Sequence, residues 1–161
     1  YTEKLTNHIK HSYKGNYLYI DVSSKIQDAT TVEIIFTIRN NQYVYINIVF
    51  SYLLDNNPNE AIKWFEKGLE KFSDSYLLYF YGANAYKDVN DFETAIKYYK
   101  VAWKLDQSFT MILRALASCY EEVNDYENAL KTWCEVKKWL ESHGYLIEAN
   151  SIDENIKRCK K

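Results

Sequence analysis

Two histidines near the start of the chain have the spacing of a candidate metal site. His8 and His11 lie three residues apart and would share one face of a helix. No cysteine or acidic residue is placed with them as a third ligand. We therefore interpret both as surface residues and predict no metal site and no cofactor.

Other residue types that perform catalysis also lack suitable neighbours. The glycines are isolated at Gly15, Gly68, Gly82 and Gly144. This spacing excludes a glycine-rich loop that cradles phosphate. No cysteine has a histidine nearby in the sequence to activate its thiol. The sequence therefore predicts a protein that is not itself an enzyme, although a catalytic domain could belong to a longer chain.

The elements that would position any site repeat every 34 residues. Four sets of residues keep this interval: one of alanines, one of tyrosines, one of large rings and one of mixed size. The sets are Ala61, Ala95 and Ala129; Tyr52, Tyr86 and Tyr120; Phe65, Tyr99 and Trp133; and Gly68, Ala102 and Val136. A period of about 20–50 residues is typical of a stacked repeat array, which usually binds partners.

Each repeat is predicted to form a helix, a tight turn and a second helix. The turn strings are Asn56-Asn57-Pro58-Asn59, Asn90-Asp91-Phe92 and Asn124-Asp125-Tyr126. Asn and Asp tolerate the left-handed backbone that ends a helix, and their side chains cap the next one. An amphipathic run follows each string, with the alanine where two backbones approach and the large ring four residues later.

This pattern resembles the tetratricopeptide repeat family over residues 42–75, 76–109 and 110–143. The resemblance implies an all-α, right-handed α-solenoid of helix-turn-helix repeats, within one domain that spans residues 1–161. Two positions depart from the family pattern. Gly82 stands in place of a bulky aliphatic residue and Val136 in place of a small one. The resemblance therefore does not determine how the core packs around these two residues.

The ends of the chain differ from the repeats. Residues 144–161 are predicted to form a capping helix, because an array needs a terminal helix with a polar outer face. Its predicted buried face consists of Tyr145, Ala149, Ile152, Ile156 and Cys159.

Residues 1–41 are predicted to form a degenerate repeat or a packing segment. Gly15-Asn16-Tyr17 is similar to the turn strings, which favours a long helix from Tyr17 toward Arg39. A strand interpretation stays open, with Asn40-Asn41 as a hairpin turn. It rests on the alternation of Leu18, Ile20 and Val22 and of Val32, Ile34, Phe36 and Ile38.

Composition limits the partners and the compartment. A net charge of −2 provides no global field for nucleic acid or an anionic membrane. The most apolar stretch, from Tyr43 to Leu54, is too short to span a bilayer. Three cysteines on predicted helices suggest reduced thiols and a cytoplasmic protein. The chain begins at Tyr1, so we expect it to be trimmed from a longer protein.

The resemblance implies that the first helix of each repeat lines a concave face. The partner-binding candidates there are Tyr43, Ile46, Phe50, Leu77, Phe80, Asn84, Lys87, Met111, Arg114 and Ser118. The wall grades from apolar to charged, which suits a protein segment or peptide with an apolar anchor and a basic flank. Two alternatives are open: the first-repeat residues could be core, and Arg114 could pair with Glu121 or Glu122.

Some members of the family hold the C-terminal carboxylate of a heat-shock chaperone in a clamp of Lys, Asn and Arg. The corresponding positions here are Ile46, Phe50, Tyr81, Met111 and Ala115. None of these can hold a carboxylate by charge. The sequence therefore argues against a co-chaperone of that type.

We therefore expect a scaffold or adaptor that binds a peptide or helical segment on its concave face. Two other functions stay open: a peptide-sensing domain of a larger regulator, and a dedicated chaperone of a secreted protein. The oligomeric state is left open.

Overall fold

The computed structural model describes residues 9–14, 17–22, 35–37 and 42–160. The chain divides at Asn41 into two units, and each is described by itself. The sequence-based expectation that the whole chain behaves as one domain stays a prediction.

The N-terminal unit contains an antiparallel three-stranded sheet. Its strands are β1 (Ile9–Lys14), β2 (Tyr17–Val22) and β3 (Ile35–Thr37), in the order β1-β2-β3. Lys14 is paired with Tyr17 across the first pair of strands, and Tyr17 with Thr37 across the second.

The predicted helix from Tyr17 toward Arg39 is wrong over Tyr17–Val22 and Ile35–Thr37. The physical reason is the alternation of β-branched residues, a period of two that a strand satisfies and a helix does not. His11 lies on β1 rather than on a helix. His8 and the proposed Asn40-Asn41 turn lie outside the described residues.

The helical unit contains a pair of helices within each predicted repeat. They are α1 (Gln42–Leu54) and α2 (Pro58–Leu69), α3 (Tyr76–Asp88) and α4 (Phe92–Leu105), and α5 (Met111–Glu122) and α6 (Tyr126–Ser142). Two short helices follow, α7 (Leu146–Ser151) and α8 (Asp153–Cys159). Each helix packs against its neighbours along the chain, so the unit is a stack of helix pairs.

The turn inside each pair is set by an asparagine in the left-handed conformation. In the middle repeat Asn90 has φ of 62°, and its N–H donates to the Lys87 carbonyl at 2.9 Å. The Asp91 N–H donates to the Tyr86 carbonyl at 2.9 Å, which completes a Schellman motif. The Asp91 carboxylate then caps α4 by accepting from the Thr94 N–H at 3.1 Å. The other turns repeat this arrangement at Asn56 with Asn57 and at Asn124 with Asp125.

The core follows the 34-residue sets. The alanines are fully buried at Ala61, Ala95 and Ala129. The large rings beside them are also buried, at Phe65, Tyr99 and Trp133. Small residues therefore let the helices approach, and the rings fill the space between repeats. Val136 is fully buried as well, so the core accommodates this departure from the family pattern.

Gly82 has a specific packing reason. A Cβ atom at this position would overlap the ring of Phe65. That ring cannot move aside easily, because it is fully buried and packs against the rings of Tyr79, Tyr86 and Tyr98, at centroid distances of 6.1, 6.2 and 4.9 Å. The missing side chain at Gly82 thus makes room for an aromatic ring from the preceding repeat.

The cap is two short helices rather than the single helix predicted. A turn at Ile152 separates them, and Ala149, Ile152, Ile156 and Cys159 are buried as expected. Tyr145 is a correction, because half of it is exposed and it precedes α7 instead of lying on its buried face. Its backbone N–H completes the turn that ends α6.

We expect Gly82→Ala to lower stability, although alanine favours a helix by about 1 kcal/mol over glycine. Overpacking a rigid core costs about 1–3 kcal/mol, which exceeds that gain. Urea denaturation should therefore show a lower midpoint for the variant. A control makes the same change in a Phe65→Leu background, where the smaller side chain leaves room and the penalty should shrink. A midpoint raised by Gly82→Ala alone would contradict the proposed packing.

Candidate functional site

Side chains from α1, α3 and α5 line one groove of about 490 Å³. These are the first helices of the three repeats, so the helix-turn-helix stacking itself brings their exposed sides together. The lining residues, called the groove below, are Phe50, Leu53, Leu54, Phe80, Tyr81, Asn84, Lys87, Asp88, Met111, Arg114 and Ala115.

One part of the groove is apolar and accessible. Phe50, Leu54 and Met111 are 40%, 70% and 51% exposed, and all three line the same groove, so they form an exposed apolar patch. The Phe50 ring packs against Tyr81 with centroids 5.1 Å apart. This surface can accept an apolar side chain and release water from both partners.

Asn84 provides a polar side chain in the groove. Its Oδ1 atom accepts a hydrogen bond of 2.5 Å from the hydroxyl of Tyr99 on α4. Tyr99 is fully buried, and burial raises its pKa, which keeps the hydroxyl protonated. The Nδ2 group of Asn84 remains as a hydrogen-bond donor.

Charged groups flank Asn84. Lys87 and Arg114 contribute two cations to the groove and Asp88 one carboxylate. Arg114 takes part in none of the ion pairs formed by residues 42–160. The guanidinium therefore remains available to a carboxylate or carbonyl oxygen.

The predicted site residues separate into two groups. Those that line the groove are Phe50, Phe80, Asn84, Lys87, Met111 and Arg114. The others lie outside it: Ile46 is only 5% exposed, Leu77 is half-buried, and Tyr43 and Ser118 are exposed.

Sequence reasoning overlooked Tyr81 as a partner-binding candidate and Tyr99 as the support of Asn84. Tyr81 could have been found because it lies next to a predicted inner position on the same helix. The role of Tyr99 had no signal of its own, since the 34-residue pattern assigned it to the core.

Glu121 does not pair with Arg114. Its carboxylate accepts from Trp133 Nε1 at 2.6 Å and from Arg158 Nε and Nη2 at 2.6 and 3.0 Å. The Arg158 guanidinium, chiefly, holds the pKa of Glu121 below its usual range. Glu121 therefore joins α5 to α6 and α8, and it is not free to bind a basic flank of a partner.

The described residues offer little for catalysis or metal binding. No group of three His, Cys, Asp or Glu side chains among them could hold a metal ion. The three cysteines are unbridged. Burial raises the pKa of Cys119 to about 11 and also raises that of Cys159, so neither is activated as a thiolate.

Solved structures share this helical arrangement at low sequence identity. The TPR2AB-domain:pHSP90 complex of yeast Sti1 has a TM-score of 0.68 and 18% identity, with coverage of 74% of this chain and 46% of that chain. The first TPR of Spaghetti (RPAP3), bound to the HSP90 peptide SRMEEVD, has a TM-score of 0.63 and 21% identity. The match covers 74% of this chain and 96% of that chain. A chain of a T3SS complex from Aeromonas hydrophila has a TM-score of 0.69 and 15% identity. The match covers 76% of this chain and 82% of that chain.

These similarities define the class of fold. The helical unit is an α-solenoid of stacked helix pairs, so the all-α prediction is confirmed for residues 42–160. More particularly, it has the tetratricopeptide repeat fold, as the resemblance in the sequence implied. The chain spans less than half of the Sti1 chain that it matches. No protein-family model matches the sequence, and neither does any curated protein.

Over the residues that the structure describes, no helix is long and apolar enough to cross a bilayer.

We expect Glu121→Gln to reduce stability at neutral pH by about 1 kcal/mol. The effect is modest because half of the Arg158 side chain is exposed, so solvent screens the ion pair. Because the folded-state pKa of Glu121 is lowered, its stabilisation is present above the unfolded pKa and lost as the pH falls through the folded pKa. The difference between wild type and variant should therefore shrink below about pH 4.3, the ordinary pKa of a glutamate.

Urea denaturation at several pH values measures this difference. The matched control is Glu60→Gln, which removes the same charge from an exposed ion pair with Lys63. It should change stability much less at every pH. Equal, pH-independent effects of the two variants would argue against the role of Glu121 as a link between helices.

Proposed function

We propose that this protein is an interaction scaffold whose groove binds a segment of another protein. The main support is the exposed apolar wall beside the donors Asn84, Lys87 and Arg114. An apolar anchor of a partner would bury against Phe50, Leu54 and Met111. Oxygen acceptors of the same segment would meet the donors.

The flank of that segment is acidic in this proposal, where the sequence had suggested a basic one. Within the groove, Lys87 and Arg114 outnumber Asp88. Glu121, a carboxylate farther along α5 that could have attracted a basic flank, is already engaged by Arg158 and Trp133. Charge complementarity therefore favours carboxylates on the partner.

The neighbours of similar fold support binding as the kind of function. One of them is bound to an HSP90 peptide, and another is in a pHSP90 complex. The clamp positions Ile46, Phe50, Tyr81, Met111 and Ala115 carry no charge here. The hydrogen-bond donors lie instead at Asn84, Lys87 and Arg114. We therefore propose that a ligand would contact other positions along the groove than the clamp positions.

A dedicated chaperone of a secreted protein is the second candidate. It is favoured by the similar fold of a chain in a T3SS complex. Such a chaperone would need a long segment of its client, whereas an adaptor would bind a short peptide. A peptide-sensing domain of a larger regulator would use the same groove.

We propose that the protein performs this binding function in a reducing compartment such as the cytoplasm. The support is the unbridged state of Cys119, Cys134 and Cys159. Binding rather than catalysis is proposed because the buried thiols are not activated and the groove holds no paired acid and base.

The proposal predicts how the groove ranks defined peptides. The probes are eight-residue peptides, blocked at both ends, with a central Phe or Leu flanked by Asp and Glu, by Gln, or by Lys. Fluorescence anisotropy should rank the acidic series first and the basic series last. Arg114→Glu should weaken the acidic series about tenfold or more, because charge-assisted hydrogen bonds contribute about 1.5–3 kcal/mol.

The matched control is Lys131→Glu, an equal charge reversal at an exposed position on α6 outside the groove. It should leave the ranking intact. Circular dichroism verifies that both variants are folded. Preference for the basic series, or equal losses in the two variants, would contradict the assignment of the groove.

A further inference from the structure

We propose that the exposed end of the cap is a second interaction surface, and that it binds the groove of another copy of this chain. This surface, called the cap patch below, consists of Tyr145, Leu146, Ile147 and Glu148. The inference rests on the proposed function, because it uses the same groove, and it adds one specific ligand to that function.

The cap patch departs from the rule that the terminal helix of an array shows a polar outer face. Of its six residues α7 buries only Ala149, whereas Leu146 and Ile147 are 61% and 84% exposed. Half of Tyr145 is exposed beside them. Packing within the helical unit does not require these three side chains to be apolar. Adjacent exposed apolar side chains are typical of a surface that binds another protein.

The turn that precedes α7 holds the cap patch in one arrangement. Gly144 has φ of 81°, a left-handed conformation that glycine adopts without strain. The Tyr145 N–H donates to the Leu140 carbonyl at 2.9 Å. The Tyr145 ring lies parallel to that of Trp139, with centroids 6.2 Å apart. Because the segment is already ordered, it loses little conformational entropy when it binds.

The chemistry of the cap patch complements that of the groove. Glu148 is the one charged side chain in residues 144–151, and it takes part in none of the ion pairs formed by residues 42–160. The patch is thus an apolar anchor next to a carboxylate. The groove offers an apolar wall next to Lys87 and Arg114, and these two cations outnumber its one carboxylate, Asp88.

The contact would form between copies and not within one. The groove is built from α1, α3 and α5, whereas α7 packs on α6 and α8 and leaves Ile147 almost fully exposed. Each copy presents one cap patch and one groove, which are different surfaces, so the contact is heterologous and can repeat from copy to copy. The expected assembly is an open chain of copies that lengthens as the protein concentration rises.

Sedimentation velocity of the full chain at increasing concentration tests the contact. The weight-average mass of wild type should rise with concentration. Ile147→Gln should weaken the association about tenfold, because it removes an apolar side chain from the contact. Leu105→Gln is the matched control, since it makes the same kind of change at another exposed apolar residue outside both surfaces. A monomeric wild type, or equal losses in the two variants, would overturn the proposal.

A mixing experiment distinguishes this contact from a symmetric one. Ile147→Gln disables the cap patch and Arg114→Glu disables the groove, so each variant alone should be monomeric. Their mixture should form a dimer and nothing longer, because one intact patch and one intact groove remain. A contact between two patches would survive Arg114→Glu, and a contact between two grooves would survive Ile147→Gln. Either result would overturn the proposal.

A charge exchange tests the pairing of Glu148 with the groove. Glu148→Lys should weaken the association about threefold, the effect of an exposed ion pair. The double variant with Arg114→Glu should regain part of the loss, since the charges again have opposite signs. Further weakening in the double variant would contradict the pairing. Circular dichroism verifies folding, and Lys87→Glu takes the place of Arg114→Glu if that variant unfolds.

The blocked acidic peptide that contains Phe separates the inference from the function on which it rests. It should displace the cap patch from the groove and return wild type to a monomer. If wild type binds the peptide but never associates, or associates regardless of the peptide, the function stands and the inference is overturned. If no peptide of the panel binds, yet Ile147→Gln and Arg114→Glu each abolish association, the inference is supported and the broader scaffold function fails.

Discussion

The helical unit depends on one backbone constraint, the sharp reversal between the two helices of each repeat. A left-handed asparagine ends the first helix, and the next residue caps the second, at Asn56, Asn90 and Asn124 alike. Because so few residues join the helices, their facing sides meet in a fixed register. The alanines at that contact are fully buried, and any larger side chain there would separate the pair. The core is thus a consequence of the turn as much as of hydrophobicity.

The same constraint determines which side chains remain for binding. The second helices, and the sides of the first helices that face them, are occupied by packing, as the overlap that a Cβ atom at Gly82 would make with the Phe65 ring illustrates. One row of the first helices is under no such demand. Phe50, Asn84 and Ser118 occupy equivalent positions with unrelated chemistry. Residues in this row can vary without loss of the fold, and therefore they can encode a partner.

Features that recur every 34 residues could be predicted from the sequence, because each recurrence tests the same local physics. The turns and the buried rings belong to this group, and so does the row of inner residues from which the groove is built. The N-terminal segment offered no second copy, and its similarity to a turn string outweighed the alternation that in fact forms β2. Tyr145 was misassigned for a related reason: helical spacing assumes a helix, but a turn begins there. Periodicity is reliable only inside the element that produces it.

The character of the groove, by contrast, is set by contacts between non-equivalent positions. Arg158 reaches Glu121 across 37 residues of sequence and removes a carboxylate from the surface available to a partner. Tyr99 reaches Asn84 across 15 residues and engages its amide oxygen. Both contacts act in the same direction, since each takes an oxygen acceptor out of use. A repeat pattern cannot encode either contact, because Arg158 lies in the cap and the Asn84–Tyr99 pair occurs in one of the three helical repeats alone. The fold of such a chain can therefore be inferred from what its repeats share, whereas its specificity depends on where they differ.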